Sequence, residues 1–273
     1  MPELPEVETV VRSLIHLLAG KKITDFRSHW FKVVDNLPEA DFRQRIVGTT
    51  IKSLDRRAKF IVINTNQNHI LVHLRMTGKL FWQENPPDDL KHITAIFTLD
   101  RGFLIFRDVR KFGRIYFYEN LEKFYSRFGP EPLSDEFTVD WLSRNLKNRS
   151  RKMKPLLLDQ SFLAGLGNIY VDEILWHSRV HPLATASDLS ARQIRDIHRY
   201  TQSILRAAIE SKGSTIKDFS FQGQQSGVYV DQLQVFARTG EACPRCAASI
   251  IKMKVAQRGT HICPECQKKK CLK

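Results

Sequence analysis

No apolar run in the 273 residues approaches the ~18 that a membrane span needs. The start, Met1-Pro-Glu-Leu-Pro-Glu-Val-Glu8, is acidic where a secretory signal would be basic and then apolar, so no export signal is read there. No cysteine precedes Cys243, which rules out a disulfide framework for the bulk of the chain. Acids are scarce: 29 Asp and Glu stand against 43 Lys and Arg, a net charge of +14. With 42% hydrophobic residues and 26% charged, the chain is neither disordered nor low in complexity. The expectation is a cytoplasmic protein of about two domains plus a small appendage, with a polyanion as partner.

The charge is unevenly placed. From Cys243 to Lys273 eight basic residues face one acid, Glu265, so these 31 residues hold half of the net charge. A second block, Arg144, Lys147, Arg149, Arg151, Lys152 and Lys154, has only Asp159 close by. Residues 1–20 instead carry three acids. Two basic blocks can neutralise several nucleic-acid phosphates, with the salt dependence of counterion release. Two solvated, solubilising faces are the plainer alternative.

All five cysteines follow residue 240, and four form Cys243-Pro-Arg-Cys246 and Cys263-Pro-Glu-Cys266, C-x2-C knuckles 16 residues apart. That is zinc-ribbon spacing. Four thiolates from two tight turns complete a tetrahedron around one Zn²⁺, a closed and therefore structural site. The metal would staple a β-hairpin over 250–259 that is too small to hold a core of its own. Two disulfides are the alternative, disfavoured in a cytosolic chain. Cys271 is left over, a free tail thiol or a fifth ligand, the former being the plainer reading.

Val7, Val10, Val11, Leu14, Ile15 and Leu18 recur at helical spacing, with Pro5, Glu6 and Glu8 at the start and Gly20 beyond the end, so a helix is predicted over 7–18. Between 22 and 119 short β-rich runs alternate with turns: Phe60-Ile-Val-Ile63, His69-Ile-Leu-Val-His-Leu74, and runs at 93–98, 103–106 and 115–118. Regular short strands of this kind make a sandwich or barrel. Gly129-Pro-Glu-Pro132 then breaks the chain. Helical spacing follows over 141–146, 154–160, 169–176 and 190–210, with a cap at Ser187-Asp-Leu-Ser190 and a Gly-, Ser- and Gln-rich loop over 213–227.

Several residues sit where chemistry is possible. Gly165-Leu-Gly167-Asn168 feeds a helix N-terminus, which offers free N–H groups to a phosphate, or is simply a helix start. Arg258 lies at a predicted hairpin tip, either solvated or reaching a phosphate or groove. Lys59 precedes an apolar strand, as a buried amine, a phosphate contact or a strand-end gatekeeper. Arg110 and Phe112 alternate past a strand; such a pair can wedge between bases, or be surface Arg and core Phe. Removal of Met1 would make Pro2 an N-terminal secondary amine, a class of group that titrates near 8. Such an amine can attack a sugar C1′ and become an iminium, with Glu3 as the neighbouring acid for proton transfer.

Taken in order, Met1-Pro-Glu-Leu-Pro-Glu-Val-Glu-Thr-Val10, His73-Leu-Arg-Met76, Phe106-Arg-Asp-Val-Arg-Lys-Phe-Gly113, Gly165-Leu-Gly-Asn-Ile-Tyr-Val-Asp-Glu173 and Arg258-Gly-Thr before Cys-x2-Cys resemble the formamidopyrimidine-DNA glycosylase family, over nearly the whole chain. The resemblance implies an α+β protein: an N-terminal helix with a two-sheet β-sandwich (1–131, catalytic), a helix–two-turn–helix domain with a lesion loop (132–228), and a zinc hairpin (229–273). It implies a bacterial, nucleoid-associated enzyme, monomeric on damaged double-stranded DNA. Such an enzyme removes 8-oxoguanine and formamidopyrimidines and then cuts the strand by β,δ-elimination. By similarity Pro2 is the Schiff-base nucleophile, Glu3 the general acid, Lys59 the residue of β-elimination and Arg258 that of δ-elimination. Met76, Arg110 and Phe112 match the residues that fill the hole left by the flipped nucleotide. His92, Arg110, Arg149 and Asn168 align with DNA contacts, and Lys154 is placed among them.

Three positions depart from the family pattern: Thr77 where an acid or small residue is expected, and Ala237 and Ala247 where glycine is expected. None removes a group that the reaction needs. Two other functions compete. The sister family endonuclease VIII acts on oxidised pyrimidines, but it resembles Pro-Glu-Gly-Pro-Glu where this chain has Leu4. A non-catalytic zinc DNA-binding module would explain the last 31 residues and leave the first ten without a role.

Overall fold

The structure, a computed structural model, describes residues 1–214 and 229–269. The loop expected over 213–227 lies outside the described residues beyond Ser214, as does Cys271. By contact density the chain falls into two units, Met1–Ser126 with Ser211–Val230, and Arg127–Glu210 with Asp231–Lys273.

The first unit opens on α1 (Leu4–Leu18). The helix starts earlier than its apolar spacing predicts because Glu3 and Glu6 form a capping box, in which the Glu6 carboxylate accepts the Glu3 N–H at 2.9 Å. Eight strands follow: β1 (Ile23–Ser28), then, after α2 (Glu39–Ile46), β2 (Ile51–Arg57), β3 (Phe60–Thr65), β4 (His69–His73), β5 (Gly78–Gln83), β6 (Ile93–Leu99), β7 (Phe103–Asp108) and β8 (Arg114–Tyr118), with α3 (Glu122–Tyr125) behind them. They form two antiparallel four-stranded sheets, ordered β1-β6-β7-β5 and β2-β3-β4-β8. One core joins the sheets to α1 and α2: Val7, Val10, Leu14 and Leu18 from the helix meet Ile61, Ile63 and Val72 from one sheet and Phe26, Phe97 and Phe106 from the other. Each such buried side chain contributes on the order of 1.5–3 kcal/mol. Phe42 of α2 and Phe97 flank Phe26, with ring centroids 4.7 and 4.8 Å from it.

The second unit is helical, then β. α4 (Val139–Leu146) starts on Thr138, whose hydroxyl accepts the Trp141 N–H at 3.0 Å. α5 (Met153–Leu157) is shorter than its predicted span, because Asp159 turns the chain by accepting the Ser161 N–H at 3.0 Å. α6 (Asn168–His177) is buried from Ile169 to Trp176, and α7 (Ala191–Glu210) packs on it with Ile194, Ile197, Leu205 and Ala208 inward. The chain ends in the hairpin β9 (Ile251–Val255) and β10 (Arg258–Ile262). Among the described residues no helix is long and apolar enough to cross a membrane.

Candidate functional site

In the first unit Pro2 and Glu3 are buried immediately before α1. Glu6, one turn on, has its carboxylate fully engaged: besides the Glu3 N–H it accepts the Ser214 N–H at 2.8 Å and the Ser214 hydroxyl at 3.0 Å. Glu6 therefore holds the entry to α1 and Ser214 together. Lys59 is also buried, at the two-residue turn between β2 and β3, where Ala58 holds a left-handed φ of +51°. Arg56 ties this turn to α1: its Nε donates to Glu8 at 3.0 Å and its Nη1 to the Ala58 carbonyl at 3.1 Å. Across the sheet His73 lies beside Lys59 and is held neutral, its pKa pushed down to about 3 by burial and by the charges of Arg75 and Lys59. Its Nδ1 accepts the Arg75 N–H at 3.0 Å, which shapes the turn leading to Met76.

Met76, His92, Arg110 and Phe112 come from three separate turns, and one residue gathers those turns. Asp108, with no exposed surface, gives its N–H to the His92 carbonyl at 2.8 Å. Its Oδ1 accepts the Thr77 hydroxyl and the Arg110 N–H, and its Oδ2 accepts the Gly113 N–H at 2.7 Å. Two glycines let the turns close on the Phe106 ring. A Cβ on Gly78 would lie 3.0 Å from that ring and 2.4 Å from the Leu74 carbonyl oxygen; a Cβ on Gly113 would lie 2.4 Å from the ring. Arg75, His92 and Lys111 all take positive φ, a strain that concentrates at functional turns. What this scaffold presents is exposed: Met76 at 39% and Phe112 at 47%, with the Arg110 guanidinium 4.7 Å from the Phe112 ring centroid.

In the second unit Asn168 opens α6 after the Gly165–Gly167 turn. Gln160 moulds that turn, accepting the Gly165 N–H at 2.9 Å and donating to the Leu166 carbonyl at 2.9 Å. The Asn168 Nδ2 donates to the Gly259 carbonyl at 2.9 Å, beside Arg258 on the hairpin. Lys154 meets the same carbonyl at 3.2 Å. The sequence puts Lys154 among the contacts to DNA, and the structure turns it inward. Its side chain is 0% exposed and its Nζ donates to Asp172 Oδ1 at 2.6 Å, because a desolvated ammonium needs a buried carboxylate. Asp172 Oδ2 accepts the His261 N–H at 2.9 Å. Lys154, Asn168 and Asp172 thus grip β10 on both sides of Thr260. Arg258 itself is exposed and follows a two-residue turn in which Ala256 and Gln257 have φ of +46° and +61°. Arg149 stands apart from this cluster, over the Phe162 ring and donating to the Asn145 carbonyl at 2.7 Å.

The sulfurs of Cys243, Cys246, Cys263 and Cys266 all lie within 4.8 Å of one another. Three pairs stand at 3.9, 3.4 and 3.5 Å. A tetrahedral zinc with 2.3 Å bonds needs edges of about 3.8 Å, so the set fits that ion. Without a cation the thiols could not all ionise: burial and the neighbouring thiols push Cys266 up to about 12.

Three family models match consecutive parts of the chain: the formamidopyrimidine-DNA glycosylase N-terminal domain over residues 1–115, its H2TH domain over 128–220, and the zinc finger found in FPG and IleRS over 240–269. Formamidopyrimidine-DNA glycosylases of Streptococcus mutans and Herpetosiphon aurantiacus are 44% and 42% identical, each over 98% of this chain and 100% of its own. The chain belongs to the formamidopyrimidine-DNA glycosylase family. Solved structures agree: a point mutant of the Lactococcus lactis FPG with a Fapy-dG-containing DNA superposes with a TM-score of 0.93 at 37% identity. The Lactococcus lactis Fpg with an abasic-site DNA superposes at 0.91 and 38%; both comparisons cover 98% of this chain and 100% of the other. The four-cysteine cluster is the family's structural zinc site, one ion held by Cys243, Cys246, Cys263 and Cys266.

Within the family frame the departures acquire a geometry. Thr77 is the hydroxyl bonded to Asp108. Ala237 and Ala247 hold φ of +64° and +62°, the left-handed region where glycine is at ease. Sequence reasoning missed the residues that position the others: Glu6, Asp108, Asp172 and Glu173. The available signal was an acid inside or next to an apolar run, as in Phe106-Arg-Asp108 and Tyr170-Val-Asp-Glu173.

Proposed function

We propose that this protein excises oxidised purines, 8-oxoguanine and formamidopyrimidines, from duplex DNA and then cleaves the strand as an abasic-site lyase. The observation that carries the reading is the chain start: Pro2 and Glu3 are buried side by side, with the Glu3 N–H held by the Glu6 carboxylate. A reacting amine and acid must be held in place before substrate arrives. The relatives' names support the substrate class, and so do neighbours solved with Fapy-dG and abasic-site DNA.

Base flipping costs a few kcal/mol in lost stacking and pairing. Met76, Arg110 and Phe112, exposed on the turns braced by Asp108, fill the vacated space and offset that cost. Once Met1 is removed, the Pro2 nitrogen attacks C1′. The C1′–N-glycosidic bond breaks as Glu3 gives a proton to the departing base; the Pro2 nitrogen then loses its own proton, and its lone pair expels the ring oxygen O4′, which takes up a proton as the sugar opens, leaving an iminium that links enzyme and C1′. Lys59 serves the β-elimination that expels the 3′ phosphate, and Arg258 the δ-elimination that expels the 5′ phosphate. Asn168, Arg149 and His92 contact the backbone; zinc holds the hairpin that bears Arg258 and takes no part in the reaction. The enzyme works as a monomer in the cytoplasm, on the bacterial chromosome.

The test is borohydride trapping on a duplex carrying 8-oxoguanine, with the intact mass confirming that Pro2 is the first residue. A covalent adduct is expected, and Pro2→Gly should abolish it. No adduct with the processed protein, or full trapping by Pro2→Gly, overturns the mechanism. A second reading has its own support, since the Lactococcus lactis FPG, 36% identical, has been solved with an oxidised-pyrimidine DNA. Release of thymine glycol faster than 8-oxoguanine would favour it.

A further inference from the structure

At the far end of α6 from Asn168, about 15 Å away along a ten-residue helix, lies a cavity of about 370 Å³. Its walls include four guanidinium groups, Arg179, Arg192, Arg199 and Arg245, against one carboxylate, Asp196. Asp196 lies 3.1 Å from Arg199 and 3.8 Å from Arg192, so a single acid is shared and a charge of +3 is left over. His177, also in the wall, adds no charge near neutral pH: burial and the charge of Arg245 push its pKa down to about 4.

One feature distinguishes this from an ordinary solvated basic face. Arg245 is preorganised, its guanidinium stacked 3.9 Å from the Trp176 ring centroid while Nη1 donates to the Trp176 carbonyl at 3.0 Å. That bond occupies one of five donors and also covers the carbonyl end of α6, whose negative dipole would otherwise repel an anion.

We propose that this cavity is an anion subsite that binds a phosphate-bearing ligand through Arg192, Arg199 and Arg245. Phosphate suits the site because planar guanidinium groups match its oxygens in pairs and a multiply charged anion matches the surplus of three. The phosphate comes either from a free oligophosphate or from a nucleic-acid backbone. The proposal stands independently of the glycosylase mechanism, as no residue of that mechanism lines the cavity.

The test titrates the zinc-loaded, full-length protein with pyrophosphate at constant ionic strength, by calorimetry and by the His177 ring resonances. Saturable one-to-one binding is expected, with the His177 signal shifting and its titration midpoint rising. The double variant Arg192→Ala/Arg199→Ala changes two exposed helix positions and should fold as the parent does; it should weaken binding at least tenfold. Binding that does not saturate, or that the double variant leaves unchanged, overturns the proposal. Adding an undamaged duplex separates the two sources. Displacement of pyrophosphate, with a salt dependence of duplex binding that falls by about two phosphates in the double variant, assigns the site to backbone. Simultaneous binding of both assigns it to a free oligophosphate.

Discussion

The turns that carry Met76, Arg110 and Phe112 stand on a continuous core shared by two sheets and two helices. The hairpin that carries Arg258 stands on a satellite cluster of Trp176, Val235, Cys243, Ile250 and Cys263. Both regions use buried carboxylates as backbone acceptors, but for different ends. Asp108 gathers turns on a sheet that exists without it. Asp172 and Glu173, adjacent on α6, fasten segments that have little else: Asp172 holds His261, and Glu173 accepts the N–H groups of Gln234, Val235 and Phe236, each at 2.9 Å. Burial raises the Glu173 pKa and these three N–H groups oppose the rise. Where apolar burial is ample, polar pins refine a site; where it is scarce, they and a metal make the structure.

Removing zinc should divide the regions most sharply. Structural zinc in small fingers is worth on the order of 10–16 kcal/mol, as much as the five buried residues of this satellite cluster contribute together. Chelation should therefore abolish hydrogen-exchange protection over 240–269 while the sheets of the first unit keep theirs. Equal loss in both would end the contrast. Asp172→Ala comes next. It strands the Lys154 ammonium and the His261 N–H in a dry interior, at a cost of about 3–5 kcal/mol. Lys154→Met combined with Asp172→Leu should recover much of that in urea unfolding, because the stranded charge is then gone.

Asp108→Ala removes as many backbone and side-chain bonds, yet of the released groups the Thr77 hydroxyl and the Arg110 N–H lie near solvent and can rehydrate, and only the Gly113 N–H is buried. A loss of about 3 kcal/mol is expected, with incision of a lesion duplex reduced more than binding of one that already has an abasic site. A drop in both by the same factor would mean that Asp108 braces the sheet and not the turns. The pH dependence is weaker. His73 is neutral in the folded chain down to about 3 and protonates near 6.5 once unfolded. The unfolded state thus binds the extra proton, and stability is lost as pH falls below 6.5, by about 2 kcal/mol at pH 5. His73→Gln should flatten that decline in urea midpoints measured from pH 7.5 to 5.

How much of this was legible in the sequence depended on where each element lies in its layer. The strand runs recognised from pattern were β3, β4, β6 and β7, the inner strands of both sheets, and β8. Those missed were β1, β2 and β5, all at sheet edges. An edge strand need not be apolar on both faces, and β1 and β2 also carry register shifts at Ile23/Asp25 and Ile51/Ser53 that break the alternation. The knuckles were legible because a metal constrains residue type and spacing together. Lys154 was not, since a basic run gives no sign of which lysine turns inward to meet Asp172, 18 residues away. The turn geometry was legible only as absence, alanine where glycine was expected at 237 and 247.

That absence supports the smallest and most specific prediction. Ala237 and Ala247 both hold left-handed backbone, φ +64° and +62°, in the stretch that leads into and around the first zinc knuckle. An L-residue pays roughly 1–2 kcal/mol for that conformation, and glycine returns part of the gain through its greater freedom when unfolded. Ala237→Gly and Ala247→Gly should therefore each stabilise the protein, by about 0.5–1 kcal/mol, although glycine for alanine elsewhere destabilises by a similar amount. The control is Ala58, which has φ +51° but lies in the first unit, on the β2–β3 turn. If the strain is borne locally, glycine at 237 or 247 should slow hydrogen exchange over 240–269 only. Glycine at 58 should leave that segment unchanged and raise the urea midpoint of the first unit. Slower exchange over 240–269 from all three substitutions would show that strain is shared between the regions, against the division drawn from their cores.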